Sequence, residues 1–101
     1  MAVEVRDNPE QQRFEAHLDG QLAGFSEYRA KPGLIAFIHT EVDPEFEGQG
    51  IGSELIGKAL DEARARGVDV LPFCPFVNAF IAKHPEYVEL VPESRREAFG
   101  L

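Results

Sequence analysis

Three glycines, Gly48, Gly50 and Gly52, alternate with other residues in the stretch EFEGQGIGSELIGKAL, where a helical pattern begins. Glycine adopts positive φ readily and allows another group to approach the backbone closely. A helix N-terminus carries a partial positive charge and unpaired N–H groups, so a glycine-rich entry to a helix suits a phosphate group. The same glycines also suit a tight strand-to-helix connection that binds nothing, and both interpretations stay open on the glycines alone.

Spacing argues against two common nucleotide-binding motifs. The phosphate loop of nucleoside triphosphatases ends in Gly-Lys-Ser/Thr, whereas this loop ends in Gly52-Ser53 and the next lysine is Lys58. The dinucleotide fingerprint has glycines at its first, third and sixth positions, whereas here they fall at the first, third and fifth.

Further chemistry-bearing residues lie at the ends of two predicted strands. His39 and Glu41 share one face at the end of LIAFIHTEV, with Thr40 on the other, and either could act as a general base. Cys74, the only cysteine, follows the later of these two strands, which is predicted to end at Phe73. In open α/β sheets, ligands bind in the crevice at the carboxyl ends of the parallel strands. It could accept an acyl group, donate a proton or simply fill the core as a small apolar residue.

The first half of the chain predicts four antiparallel strands. Val3–Arg6 alternates as a first strand, and Asp19-Gly20 predicts a type I′ hairpin in which Phe14 faces Phe25 and Ala16 faces Ala23. Lys31–Gly33 predicts a second turn before a central strand, Leu34–Val42.

The second half begins with a helix over Ile51–Arg66, with i,i+4 ion pairs Glu54–Lys58 and Glu62–Arg66. We expect it to end at Gly67 and a strand to follow over Val68–Phe73, parallel to the central strand through a right-handed crossover. The remaining expectations are a short helix after Pro75 that ends at His84-Pro85, a last strand in EYVELV, and a solvated or loosely docked tail over residues 92–101. The fold class is α+β, a mixed and mostly antiparallel sheet with few helices.

Composition limits the function. The chain has 101 residues, 44% of them apolar, which predicts a single domain over residues 1–101. Its net charge of −8 argues against nucleic-acid binding. The single cysteine favours a reducing compartment, the N-terminus lacks a signal-peptide pattern, and no apolar run is long enough for a membrane span. A cytoplasmic protein without a metal site is expected.

The glycine loop, Glu47-Gly48-Gln49-Gly50-Ile51-Gly52, resembles the acyl-CoA loop of GNAT-type N-acetyltransferases, Arg/Gln-x-x-Gly-x-Gly/Ala. A second stretch, Pro72–Tyr87, resembles the Cys-Pro-Phe/Tyr … His-Pro-Glu-Tyr ending of a small GNAT-like subfamily, and with HTEV the likeness spans residues 14–87. The resemblance implies the acyl-CoA N-acyltransferase fold, in which the strands ending near Val42 and Phe73 splay apart around the pantetheine arm. Glu47 stands where that family usually has arginine or glutamine.

The resemblance also implies roles for individual residues, with acetyl-CoA as co-substrate and an unidentified primary amine as acceptor. The implied catalytic residues are Cys74, His39, Glu41 and Tyr87. The implied CoA-binding residues are Val42, Glu47, Gly48, Gln49, Gly50, Ile51, Gly52, Ser53, Asn78 and Lys83. The alternatives are a CoA-binding module without turnover and an interaction domain that retains the fold. The protein could be a monomer, or a homodimer through an edge strand at Val3–Arg6 or Tyr87–Val91.

Overall fold

The computed structural model describes residues 3–101 and contains one five-stranded sheet in the order β1-β2-β3-β4-β5. The first four strands are antiparallel neighbours, and β5 lies parallel to β4. The strands are β1 Val3–Asn8, β2 Arg13–Leu18, β3 Gln21–Lys31, β4 Leu34–Val42 and β5 Asp69–Pro72. The α-helices are α1 Ile51–Arg66, α2 Pro75–Lys83 and α3 Glu93–Arg96, and 3₁₀ helices cover Pro44–Phe46, Pro85–Leu90 and Glu97–Phe99. The predicted mixed α+β sheet is confirmed.

The β2–β3 hairpin has the predicted turn but a different register. Asp19 and Gly20 both have positive φ, as a type I′ turn requires. Beyond the turn, however, Ala16 pairs with Gly24 and Phe14 pairs with Ser26. The predicted pairs Ala16–Ala23 and Phe14–Phe25 are wrong, because the register shifts by one residue between Ala16 and His17.

The β4–α1–β5 crossover agrees with the sequence analysis. Helix α1 has the predicted bounds and lies between two left-handed glycine caps, Gly50 and Gly67. Its predicted pair of Glu62 with Arg66 is present, with Nε and Oε2 2.9 Å apart. The strand predicted over Val68–Phe73 is shorter, Asp69–Pro72, and pairs with the first half of β4.

The core lies between the sheet and α1, which contacts all five strands. Helix α2 packs beside α1 and against β4 and β5. A hydrogen-bonded chain ties the end of α1 to the sheet: Tyr28 Oη donates to Asp7 Oδ1 at 2.6 Å, and Arg66 donates to Asp7 Oδ2 at 2.6 Å. On the opposite face of β2 and β3, side chains such as Glu15 and Phe25 remain partly exposed.

The C-terminal quarter differs from its prediction. EYVELV does not form a strand; its first five residues lie in the 3₁₀ helix Pro85–Leu90, which follows α2 directly after His84, and Val91 is the C-cap residue. The last ten residues, expected as a solvated or loosely docked tail, form α3 and a 3₁₀ turn. Asn78 Nδ2 donates to the Phe99 carbonyl at 2.9 Å, and the rings of Phe73 and Phe99 lie 5.2 Å apart. Among residues 3–101, no helix is long and apolar enough to cross a membrane.

Candidate functional site

A gap opens between β4 and β5 at their carboxyl ends. The two strands pair from Leu34–Asp69 to Phe37–Pro72, and the Cys74 N–H then donates to the Phe37 carbonyl at 2.9 Å. Strand β4 continues to Val42 without a further recorded partner in β5. On the other side, the Asp43 N–H donates to the Ala23 carbonyl of β3 at 2.8 Å. Because successive peptide groups of a strand point in opposite directions, the Val42 N–H faces the gap.

A β-bulge in β4 sets which side chains face this gap. Tyr28 pairs with Phe37 and Glu27 pairs with His39, so Ile38 is an extra residue in β4. Regular alternation from the buried Phe37 would turn His39 inward; the bulge instead turns Thr40 inward. Bulges often re-aim side chains beside functional sites. As expected, His39 and Glu41 lie on one face of β4 and Thr40 lies on the other. The bulge determines that the Thr40 hydroxyl, and not the His39 imidazole, points to the core.

The inward side chains form a short chain of hydrogen bonds, and its Thr40–Cys74 contact crosses the gap between β4 and β5. Thr40 Oγ1 lies 3.3 Å from Cys74 Sγ and 2.9 Å from Ser26 Oγ. Ser26 is fully buried, and Cys74 is 3% exposed although it is the N-cap residue of α2. The contact between Thr40 and Cys74 joins β4 to the start of α2 just beyond the point where β4 and β5 separate.

His39 and Glu41 lie together on the outer face of the sheet. His39 Nε2 is 3.1 Å from Glu41 Oε1, and their side chains are 51% and 62% exposed. Glu41 also lines a cleft of about 450 Å³ at the end of β4, whose other lining residues are Leu22, Ala23, Gly24, Phe25, Val42, Asp43 and Pro44. These two candidates therefore lie on the opposite face of β4 from Thr40, where a small molecule can reach them from solvent.

The glycine loop joins the gap to α1. Gly48 and Gly50 have φ values of 82° and 74°, which are accessible to glycine at little cost. Gly50 caps α1 without a side-chain hydrogen bond, and the first helical bond is donated by the Glu54 N–H. The preceding N–H groups of Ile51, Gly52 and Ser53 have no helical partner and suit an anionic ligand. Glu47, Gly48 and Gln49 are exposed beside them.

A groove of about 520 Å³ runs from this loop between α1 and α2. It contains two residues that can carry positive charge, Lys58 and His84, and its other lining residues are Gln49, Gly50, Ser53, Glu54, Gly57, Asp61 and Phe80. At the loop end, the Phe76 ring lies against Gly52 so closely that a Cβ there would be 2.5 Å from Phe76 Cζ. Gly52 therefore serves helix packing, whereas Gly48 and Gly50 serve backbone conformation.

Three predicted site residues lie elsewhere or are engaged with other groups. Tyr87 Oη donates to Asp61 Oδ1 at 2.8 Å, and burial together with that carboxylate raises the pKa of Tyr87 to about 12. Asp61 is ten residues into α1, about 15 Å along the helix from the glycine loop. The Asn78 amide binds the Phe99 carbonyl, and Lys83 is exposed at the end of α2.

Residues 13–90 match the family described as GCN5-related N-acetyl-transferase. The chain belongs to this family. No curated protein sequence is significantly similar to the chain. Among solved structures, a GCN5-like putative N-acetyltransferase from Staphylococcus aureus superposes with a TM-score of 0.67 at 22% identity, over 88% of this chain and 87% of that one.

Two larger proteins share part of the architecture. The ribosomal-protein-S18-alanine N-acetyltransferase from Escherichia coli has a TM-score of 0.54 at 27% identity, over 57% of this chain and 38% of its own length. N-acetylglutamate synthase from Neisseria gonorrhoeae, solved with coenzyme A and N-acetyl-glutamate, has a TM-score of 0.50 at 19% identity, over 87% of this chain and 22% of that one. The neighbours confirm the expected acyl-CoA N-acyltransferase fold.

Members of the GCN5-related N-acetyltransferase family use acetyl-CoA, and the structure has groups that fit an acyl-CoA. The uncapped N–H groups at the start of α1 suit the pyrophosphate, and the open edge of β4 suits the amide groups of pantetheine. Within residues 3–101, no group of three or more His, Cys, Asp or Glu side chains could hold a metal ion. Thr40 and Ser26 were not among the predicted site residues, although Ser26 breaks an otherwise apolar inward row in β3.

Proposed function

We propose that the protein is an N-acetyltransferase that transfers the acetyl group of acetyl-CoA to a small-molecule or protein primary amine. The observation that carries the proposal is the gap between β4 and β5, with the glycine loop of α1 at its mouth. Membership of the GCN5-related N-acetyltransferase family supports the reaction class. Acetyl-CoA, when bound, supplies an acetyl group activated as a thioester.

The residues around the gap supply what this transfer needs. The Val42 N–H, which faces the gap, would donate a hydrogen bond to the carbonyl oxygen that gains negative charge. Cys74, at the inner end of the gap, would give its thiol proton to the departing sulfur. The N–H groups of the Gly50–Ser53 segment would hold the pyrophosphate.

The acceptor amine would enter from the outer face, through the cleft lined by Glu41. A primary amine must lose a proton to react, and Glu41 with its neighbour His39 can accept one directly or through water. We leave Tyr87 out of the catalytic set, because its hydroxyl already donates to Asp61 Oδ1. We therefore propose His39, Glu41 and Cys74 as the catalytic set.

Titration calorimetry with acetyl-CoA and with CoA, together with thermal melting, tests the binding step. Ligand at 100 times its dissociation constant should stabilise the fold by about 2.7 kcal/mol. The absence of heat and of a melting shift at millimolar ligand would contradict the proposal.

Turnover against a panel of amines, for wild type, Cys74→Ala and His39→Ala, then tests the reaction. We expect both variants to bind acetyl-CoA like wild type and to turn over more slowly.

A second candidate function is a CoA-binding module without turnover. It is favoured by the position of Cys74, which is only 3% exposed, and by the location of His39 and Glu41 on the other face of β4. Binding of acetyl-CoA without acetylation of any amine in the panel would support the module. Failure of CoA binding would leave an interaction domain that retains the fold.

A further inference from the structure

The Thr40 hydroxyl lies between two other polar groups in the interior, Ser26 Oγ at 2.9 Å and Cys74 Sγ at 3.3 Å. Ser26 is 0% exposed and Cys74 is 3% exposed. A buried hydroxyl hydrogen without an acceptor is unfavourable, because it has lost its hydrogen bonds to water. This constraint decides which atom donates in each of the two contacts.

Three arrangements of donation satisfy the distances. If Ser26 and Cys74 both donated to Thr40, the Thr40 hydrogen would need another acceptor. If the Cys74 thiol donated to Thr40 and Thr40 donated to Ser26, the Ser26 hydrogen would need another acceptor. Among the described residues, Thr40 is the recorded partner of the Ser26 side chain. In the opposite direction, Ser26 donates to Thr40 and Thr40 donates to Cys74 Sγ. Both hydroxyl hydrogens are then bonded, and the hydrogen left over belongs to the thiol, the weakest donor of the three.

We propose that Ser26 and Thr40 are positioning residues for Cys74. Their hydroxyl hydrogens point in series toward Sγ, so the S–H bond of Cys74 is not used on Thr40 and is free to donate to a group bound between β4 and β5. The inference rests on the proposed N-acetyltransferase function, since it assigns the direction in which Cys74 delivers its proton.

The chain of hydroxyls also stabilises the product of that proton transfer. The acceptor nitrogen forms its bond to the carbonyl carbon, the C–S bond breaks, and its electron pair goes to the sulfur of CoA. Cys74 gives its thiol proton to that sulfur and becomes a thiolate, which accepts the Thr40 hydrogen bond. Hydrogen bonds to ionised groups are stronger than those between neutral groups. The proton lost by the acceptor nitrogen reaches Cys74 through solvent and restores the thiol.

The infrared S–H stretching band reports the direction of donation without any need for activity. Cys74 is the only cysteine, so the protein has a single such band. In the wild type, we expect the S–H band to lie at the frequency of a thiol that does not donate to Thr40. The band should therefore not shift to higher frequency in Thr40→Val. A band at the lower frequency of a donating thiol, moving upward in Thr40→Val, would overturn the proposal.

Kinetics separate positioning from a structural role. Thr40→Val should lower kcat at least about tenfold without changing KM for acetyl-CoA, because a bond to a charged group is lost in the reacting state. Thr40→Ser, which keeps the hydroxyl, should stay within about threefold of wild type. The exposed Ser94→Ala serves as the control for loss of a hydroxyl and should match wild type.

The double variant Ser26→Ala/Thr40→Val guards against loss of stability. It removes the Ser26 hydroxyl that Thr40→Val leaves without a partner, so it should melt at a higher temperature than Thr40→Val alone. A positioning role predicts that it remains as slow as Thr40→Val. If the double variant regained the wild-type kcat together with its stability, the proposal would be overturned. A wild type that transfers no acetyl group defeats the proposed function, whereas a donating thiol in the infrared spectrum defeats this inference alone.

Discussion

The ring of Phe76 in α2 lies on Gly52 in α1, and a Cβ at Gly52 would be 2.5 Å from Phe76 Cζ and 3.2 Å from Cε1. Five residues further along α1, a Cβ at Gly57 would lie at an ordinary 3.6 Å from Phe80 Cζ. Gly57→Ala should therefore stabilise the protein by about 0.5 to 1 kcal/mol, through its effect on helix propensity. Gly52→Ala should gain less stability than Gly57→Ala or lose some, because the Phe76 ring must move aside. Urea denaturation measures both.

The same pair can be tested in a double-mutant cycle. Phe76 is 44% exposed, so Phe76→Ala opens the space above Gly52 without a large cavity in the core. In that background, Gly52→Ala should stabilise the protein as Gly57→Ala does. An equal effect of the two alanines in the wild-type background would show that the ring does not restrict position 52.

Backbone conformation at Gly50 predicts a loss of CoA affinity that is separable from a loss of stability. Gly50 and Gly33 have nearly equal φ, 74° and 73°, and a Cβ at either would meet nothing within 4 Å. Alanine at each site should cost about 1 to 2 kcal/mol of stability through left-handed backbone strain. Gly33 lies in the β3–β4 turn at the opposite end of β4 from the glycine loop, so only Gly50→Ala should weaken CoA binding, by tenfold or more. Calorimetry of both variants that showed equal affinities would argue against the loop as the phosphate site.

Local sequence signals predicted the elements that they control directly. The Asp19-Gly20 turn, the glycine-capped helix Ile51–Arg66 and the parallel pairing of β4 with β5 follow from φ preferences, apolar periodicity and the strand–helix–strand order, and the structure has all three. The glycine loop was located for the same reason. These features depend on residues close together in the sequence, so a single chain contains enough information to find them.

Features that depend on tertiary contacts were missed. The bulges near Ala16 and Ile38 displace pairing by one residue, and nothing in the local alternation marks them. The second bulge turns Thr40 rather than His39 toward Cys74, which is why the hydroxyl chain was not predicted. EYVELV has the apolar content of a strand, yet Val91 is fully buried and Tyr87 bonds to α1, so packing against the helices decides its conformation.

The two tyrosines should titrate only when the fold opens. Burial, with the adjacent Asp7 for Tyr28 and Asp61 for Tyr87, raises both pKa values to about 12. An unfolded tyrosine has a pKa of about 10, so the stabilisation from these groups is complete below pH 10 and is lost as the pH rises toward 12. The chain has no tryptophan, so tyrosinate absorbance is easy to follow. It should appear together with loss of the circular dichroism signal; tyrosinate near pH 10 in a folded protein would contradict these environments.

Replacing Glu47 with glutamine should tighten CoA binding. Glu47 is exposed next to Gly48, and a carboxylate about 4 Å from a pyrophosphate charge is repelled by about 1 kcal/mol or more even in water. Removing that charge should raise the affinity about fivefold at low salt and by less at high salt, because salt screens exposed charges. Glu10→Gln, in the β1–β2 turn at the opposite end of the sheet, removes the same charge far from the loop and should leave the affinity unchanged. Equal gains in both variants would show that overall net charge, and not Glu47, limits the affinity for CoA.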